Sequence, residues 1–207
     1  MIERPVTPRA RVVVLAGPSG AGKSRLARRL RLPVLRLDDF YKNGSDPTLP
    51  RITDGPNAGI VDWDHPDSWL PDDAVAALQA LCAEGCADVP VYDIAHDGRT
   101  GHQVLDLGEH RLFVAEGIFA QDIVDDCRTA GILAAAYCVT QHPLVTFWRR
   151  LARDLRERRK PPLVLVRRGW ALMRGQSRVV TDAVTKGCVV VSPDEGYAEV
   201  QRLLHTG

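Results

Sequence analysis

The sequence predicts an α/β domain of three layers, with helices packed on both faces of a central parallel sheet. Three observations predict it. Short runs such as Val12–Ala16, Leu133–Val139 and Val189–Val191 are continuously apolar rather than alternating, the pattern of strands buried on both faces. Helical sequence follows these runs, which gives the strand-helix alternation of such folds. The first run also ends in a glycine-rich turn that leads straight into a helix. With 207 residues, 45% of them hydrophobic, the chain is long enough for one sizeable core and slightly long for a minimal domain. One domain over 1–207 with an inserted flap is therefore expected.

In chain order, Val12–Ala16 forms the first strand. From Lys23 to Arg31 the apolar Leu26, Ala27 and Leu30 recur at helical spacing while Arg25, Arg28, Arg29 and Arg31 face elsewhere, and Pro33 forces the stop. Val34–Leu37 reads as a second short strand. The stretch 38–71 is rich in Asp, Pro, Gly and Asn with scattered aromatics, and long polar connections of this kind usually hold function. Asp72–Cys82 is helical in pattern. Val89–Ile94 and Gln103–Leu107 read as two arms of a hairpin around the turn-prone His96-Asp97-Gly98, a flap over about 88–107. Arg111–Ala115 and Leu133–Val139 are further buried strands, and Val189–Val191 is a last one before a short terminal helix.

Composition narrows the function classes. Lys plus Arg total 27 against 26 for Asp plus Glu, and a net charge of +1 supplies no global field for nucleic acid or an acidic membrane. The run Val12–Ala16 is too short for a signal core or a membrane span, so the cytoplasm is the expected compartment. Five cysteines, Cys82, Cys86, Cys127, Cys138 and Cys188, are an odd number, and three lie in apolar stretches, which fits buried thiols better than a disulfide framework.

Gly17-Pro18-Ser19-Gly20-Ala21-Gly22-Lys23-Ser24 satisfies G-x-x-x-x-G-K-[ST] between a predicted strand and a predicted helix, which is the context this phosphate-binding motif requires. Gly20 and Gly22 let the backbone curl so that successive N–H groups and the helix N-terminus face an anion. Lys23 can then reach the β and γ oxygens of ATP, and Ser24 can bind Mg2+. Asp38 stands where the second strand leaves the sheet, the edge on which ligands of such sheets collect. A carboxylate there can accept a proton from an attacking hydroxyl, hold a water on Mg2+, or simply cap a turn. Val114-Ala115-Glu116-Gly117 sets a second carboxylate at another strand end. Arg149, Arg150, Arg153, Arg156, Arg158, Arg159 and Lys160 crowd one segment, a lid over about 149–162 that ends at Pro161-Pro162. Such a segment can be a solvated helix face, or can close over phosphates and stabilise the charge spread over them in transfer. It lacks the interleaved aromatics of a nucleic-acid patch.

The P-loop, Asp38-Asp39-Phe40-Tyr41, Trp63-Asp64-His65-Pro66-Asp67, Pro90-Val91-Tyr92-Asp93, Glu116-Gly117-Ile118 and Arg149-Arg150-Leu151-Ala152-Arg153-Asp154 occur in the order of the uridine kinase family. The chain resembles that family over roughly residues 11 to 160 and, more distantly, phosphoribulokinase and bacterial pantothenate kinase. The resemblance implies a three-layer P-loop kinase fold with an inserted β-hairpin flap and an Arg-rich helical lid. It implies an ATP- and Mg2+-dependent transfer to the 5′-hydroxyl of uridine or a related nucleoside. Gly17, Ser19, Gly20, Ala21, Gly22, Lys23 and Ser24 would hold ATP, and Ser24, Asp38 and Glu116 the metal. Asp38 would be the base beside the acceptor hydroxyl, with Lys23, Arg153 and Arg158 acting on the phosphoryl group. Tyr41, Trp63 and Tyr92 would line the base pocket, Asp64 would grip the ribose diol, and His96, Arg99, Arg150 and Lys160 would complete the substrate contacts. Trp63 replaces a phenylalanine of the family, Asp39 a serine, Arg159 a glycine and Lys160 an arginine. His96 and Arg99 take their family positions together only with a one-residue gap. A kinase for another small alcohol, such as a vitamin precursor or sugar phosphate, and an ATP-driven switch that phosphorylates nothing remain alternatives. The expected partner is a small molecule.

Overall fold

A computed structural model of the chain describes residues 8–55, 57–141 and 177–206. The sheet has five parallel strands in the order β2-β5-β1-β6-β7. Its strands are β1 (Arg11–Ala16), β2 (Val34–Arg36), β5 (Leu112–Glu116), β6 (Leu133–Val139) and β7 (Val189–Val191). Alternation along β1 builds both faces, because successive side chains of a strand point to opposite sides. Val12, Val14 and Ala16 share one cluster with Phe113, Leu78 and Leu81; Val13 and Leu15 share the other with Val114, Leu26 and Leu30. The first cluster is covered by α2 (Pro71–Glu84) and α3 (Val124–Thr129). The second is covered by α1 (Lys23–Leu30) and the C-terminal helix α5 (Pro193–Thr206), through Val200. A further helical stretch, α4, is described over 177–185.

The connections obey local chemistry. The first helix ends with Arg31 in the left-handed region and Pro33 beyond it. Proline at its first turn starts α2, and Gly85 in the left-handed region stops it, donating its N–H to the Leu81 carbonyl at 3.0 Å. The helix is one residue longer at its start and two at its end than its apolar pattern predicts. Strand β2 stops at Arg36, one residue early, because the chain folds into a 3-10 turn over Leu37–Phe40 that buries Leu37 and Phe40 in the core.

The hairpin consists of β3 (Cys86–Asp93) and β4 (Gly98–Asp106), paired antiparallel from Cys86↔Asp106 to Asp93↔Gly98 with a bulge between Val91 and Tyr92. Its second arm begins five residues before the predicted Gln103. The early part of β4, Gly98 to His102, is polar and mostly solvent-facing, so no apolar alternation marks it. All five cysteines are free thiols; Cys86 is exposed and the other four are buried. Among the described residues no helix is long and apolar enough to cross a membrane. The lid expected over 149–162, with Arg150, Arg153, Arg158 and Lys160, lies outside the described residues.

Candidate active site

Parallel pairing places three strand ends together. Glu116 of β5 is flanked in register by Leu15 of β1 and Arg36 of β2, so the loops that follow these strands open at one edge of the sheet. The phosphate loop leaves β1 there. Gly17 packs so tightly against the carbonyl of Val139 that a Cβ would clash with backbone, and its φ of 124° is left-handed as well. Gly20 and Gly22 are also left-handed, and Gly22 is the N-cap of α1, so the helix N-terminus opens into the loop. Lys23 is buried at 8% exposure, and its Nζ donates to the carbonyls of Gly17 at 2.6 Å and Pro18 at 3.3 Å. The ammonium is thus held against the loop it is expected to serve. Ser19 is half-buried and Ala21 buried within the same turn.

Glu116 borders this cradle, and Asp38 stands beside the strand end that carries Glu116. Ser24 Oγ donates to Glu116 Oε2 at 3.1 Å, which joins the helix start to the end of β5. Burial is the largest influence on Glu116 and raises its pKa; Lys23 and the Ser24 bond pull it down, Asp38 pushes it up, and Arg36 pulls it down. The net shift is upward. Lys23, Ser24, Asp38 and Glu116 therefore share one electrostatic neighbourhood. Asp38 is fixed by geometry as well, since its Oδ1 accepts the Ile118 N–H at 3.0 Å. Gly117 makes the approach possible: a Cβ there would lie 2.8 Å from Leu37 Cβ and 2.9 Å from Asp38 Oδ1.

These residues fit a magnesium ion. One hydroxyl and two carboxylates bordering an anion nest suit Mg2+, which keeps waters and takes one or two carboxylates plus substrate phosphates. Among the described residues no group of three or more His, Cys, Asp and Glu forms a protein-only cage, so the phosphates would have to complete the coordination.

An aromatic wall stands beside Asp38. Tyr41 lies 5.7 Å from Trp63 (interplanar angle 83°), 5.8 Å from Tyr92 (51°) and 6.1 Å from Phe119 (67°), measured between ring centroids. The Tyr41 hydroxyl donates to the Trp63 carbonyl at 3.1 Å. Burial, then the charges of Asp38, Asp64 and Tyr92, push the Tyr41 phenol far above its ordinary pKa, so it stays a neutral donor. Tyr92 is pushed up to about 12, by burial first and then by Asp97. Asp64 is exposed, and its backbone N–H donates to Asp62 Oδ1 at 3.2 Å.

The hairpin residues are placed less centrally. His96 is exposed, its Nδ1 2.7 Å from Asp93 Oδ2. Arg99 is half-buried and bonds Asp73 Oδ2 of α2 at 3.3 Å. One residue near the site escaped the sequence reading, and the burial of another was not foreseen. Phe119 joins the aromatic wall two residues after Gly117, and its only signal was an aromatic directly beyond an acidic strand end. Asp39, marked in the sequence only as standing where the family has a serine, is buried at 4% exposure. Its carboxylate accepts the Tyr92 N–H at 3.4 Å and lies 3.7 Å from an Arg36 nitrogen.

No family model matches the chain. It is 29% identical over 157 residues to the uridine kinase of Leuconostoc citreum strain KM20, covering 71% of this chain and 70% of that one. It is 24% identical over 193 residues to the uridine kinase of Geobacillus kaustophilus strain HTA426, covering 89% and 86%. Among solved structures its fold superposes on that of YFH7 of Saccharomyces cerevisiae. That match has a TM-score of 0.61 and 11% identity over 90% of this chain and 93% of the other. Fold, cradle and relatives together make the chain an ATP-dependent small-molecule kinase of P-loop fold that is similar in sequence to uridine kinases.

Proposed function

We propose that the chain transfers the γ-phosphoryl group of ATP to the 5′-hydroxyl of uridine or a related nucleoside. The observation that carries this reading is the bond from Ser24, at the end of the phosphate loop, to Glu116 at 3.1 Å, with Asp38 held beside the same strand end by the Ile118 N–H. In this reading backbone N–H groups of 17–24 and the Lys23 ammonium orient the phosphates. Ser24, Glu116 and Asp38 would hold Mg2+, which would supply positive charge beside the transferring group. Asp38 takes the proton of the acceptor hydroxyl, Asp64 accepts two hydrogen bonds from the ribose diol, and Tyr41, Trp63 and Tyr92 give the base an apolar wall. Arg150, Arg153, Arg158 and Lys160 would close over the phosphates and exclude water. The hairpin flap, with His96 and Arg99, would border the acceptor, all within one domain over 1–207.

A second acceptor class is favoured by one observation. Trp63 and Tyr92 stand 6.3 Å apart at 69°, edge to face, so the wall offers a flat base one surface and no parallel slot. A smaller alcohol would lose less by that arrangement. Incubating the purified protein with ATP, Mg2+ and a panel of nucleosides and simple alcohols tests both. Phosphorylated uridine or cytidine supports the nucleoside reading; transfer only to non-nucleoside alcohols supports the second; no transfer to any hydroxyl overturns both.

A further inference from the structure

The loop that carries Asp38 and the hairpin that carries Tyr92 and Arg99 are fastened together at two separate points. At the root, the buried Asp39 carboxylate accepts the Tyr92 N–H through Oδ1, and an Arg36 nitrogen lies 3.7 Å from the same oxygen. At the tip, Asn43 Oδ1 accepts the Arg99 N–H at 2.8 Å and the Gly44 N–H donates to the Asp97 carbonyl at 2.6 Å. Packing at the tip is close. A Cβ on Gly44 would lie 2.9 Å from both Asp97 Cβ and the Asp97 carbonyl oxygen, and one on Gly98 would lie 3.2 Å from Asn43 Oδ1. Asp97 itself holds a left-handed φ of 45°, which points the turn carbonyl toward Gly44. Between the two points Tyr41 packs against Tyr92, so side chains fill the span that the backbone bonds bracket.

We propose that Asp39 and Asn43 are positioning residues: they clasp the β3–β4 hairpin to the 38–44 loop, so that Asp38, Tyr41 and Tyr92 address the acceptor as one unit. The hairpin then does not swing independently of the base. Whatever moves the flap also moves Asp38 relative to the phosphate loop, which couples acceptor binding to alignment for transfer. Neither residue need touch the acceptor. The proposal rests on the kinase reading above for its kinetic consequences, and on the bonds alone for the clasp.

Asn43→Ala, Gly44→Ala and Asn43→Asp, compared with the native chain, test it by hydrogen–deuterium exchange over 92–99 and by steady-state kinetics with uridine and ATP. Asn43→Ala removes the tip acceptor, Gly44→Ala wedges the tip apart, and Asn43→Asp keeps an acceptor oxygen. The first two are expected to speed exchange at the Arg99 amide about tenfold. They are also expected to raise the KM for uridine about fivefold, the cost of one such bond, while the KM for ATP changes by less than about twofold. Asn43→Asp should restore both readouts. Asp39→Asn, which retains an oxygen for the Tyr92 N–H, should likewise stay near native where Asp39→Ala does not. Unchanged exchange over 92–99 in Asn43→Ala overturns the clasp. Faster exchange with an unmoved uridine KM, or equal rises in both KM values, overturns the positioning role. If the native chain phosphorylates no nucleoside, the acceptor reading fails separately, and exchange still decides the clasp.

Discussion

At the scale of single residues, Lys23 is buried against the carbonyl of Gly17. The motif marks it as a phosphate ligand, and the structure shows its amine tied to two loop carbonyls. Lys23→Ala is expected to lower ATP affinity ten- to a hundredfold, roughly the worth of a charge-assisted bond, with an unchanged circular dichroism spectrum. Titration calorimetry with ATP checks this. Gly117 is a second case, legible only as a residue after an acidic strand end. Its missing Cβ is what admits Asp38 Oδ1, so Gly117→Ala should cut turnover while leaving ATP affinity unaltered. Glu116 gives a pH prediction. Its folded pKa is raised, so between its ordinary value and the raised one the folded chain binds more protons than the unfolded chain. Stability then falls as pH rises through that window. Without divalent cation at neutral pH, Glu116→Gln should be at least as stable as the native chain in urea, and lower stability would contradict the assignment. Asp39 was not legible in this way: a second carboxylate beside Asp38 reads as a solvated loop residue until its burial is seen.

Among the elements, legibility followed burial. Strands β1, β5 and β6 lie inside the sheet and read as continuous apolar runs, because both faces must be covered. The first residues of β4 were not found, since a stretch that buries neither face, with glycines at Gly98 and Gly101, carries no periodic signal. The aromatic wall was visible as three residue types but not as an arrangement, because Tyr41, Trp63 and Tyr92 meet only through the turns between them. The elements also sort the cysteines. Cys86 opens the exposed hairpin, whereas Cys82, Cys127 and Cys188 are pushed up to about 12 by burial and Cys138 is raised by the same cause. A thiol reagent at neutral pH should therefore modify Cys86 alone in the native protein and all five after unfolding, as mass spectrometry would show.

For the whole molecule, the two clusters on either side of the sheet hold the carboxyl ends of three strands in register, and the site inherits its precision from them. Phe113, fully buried beside β1, should be costly to lose: Phe113→Ala is expected to reduce stability by about 3–5 kcal/mol in denaturant titration. Fold class and phosphate loop were readable because they are written in local pattern and spacing. The clasp between hairpin and acceptor loop was not, because it joins residues more than fifty apart through a side-chain oxygen and a backbone N–H. The most direct test of the account follows the γ-phosphate itself. With γ-labelled ATP, Mg2+ and uridine, the native chain should yield labelled nucleoside monophosphate, and Asp38→Asn should bind ATP normally yet lose turnover about a thousandfold. Labelled product formed equally fast by the variant would contradict the role given to Asp38, and no transfer by the native chain to uridine or any other hydroxyl would contradict the enzyme itself.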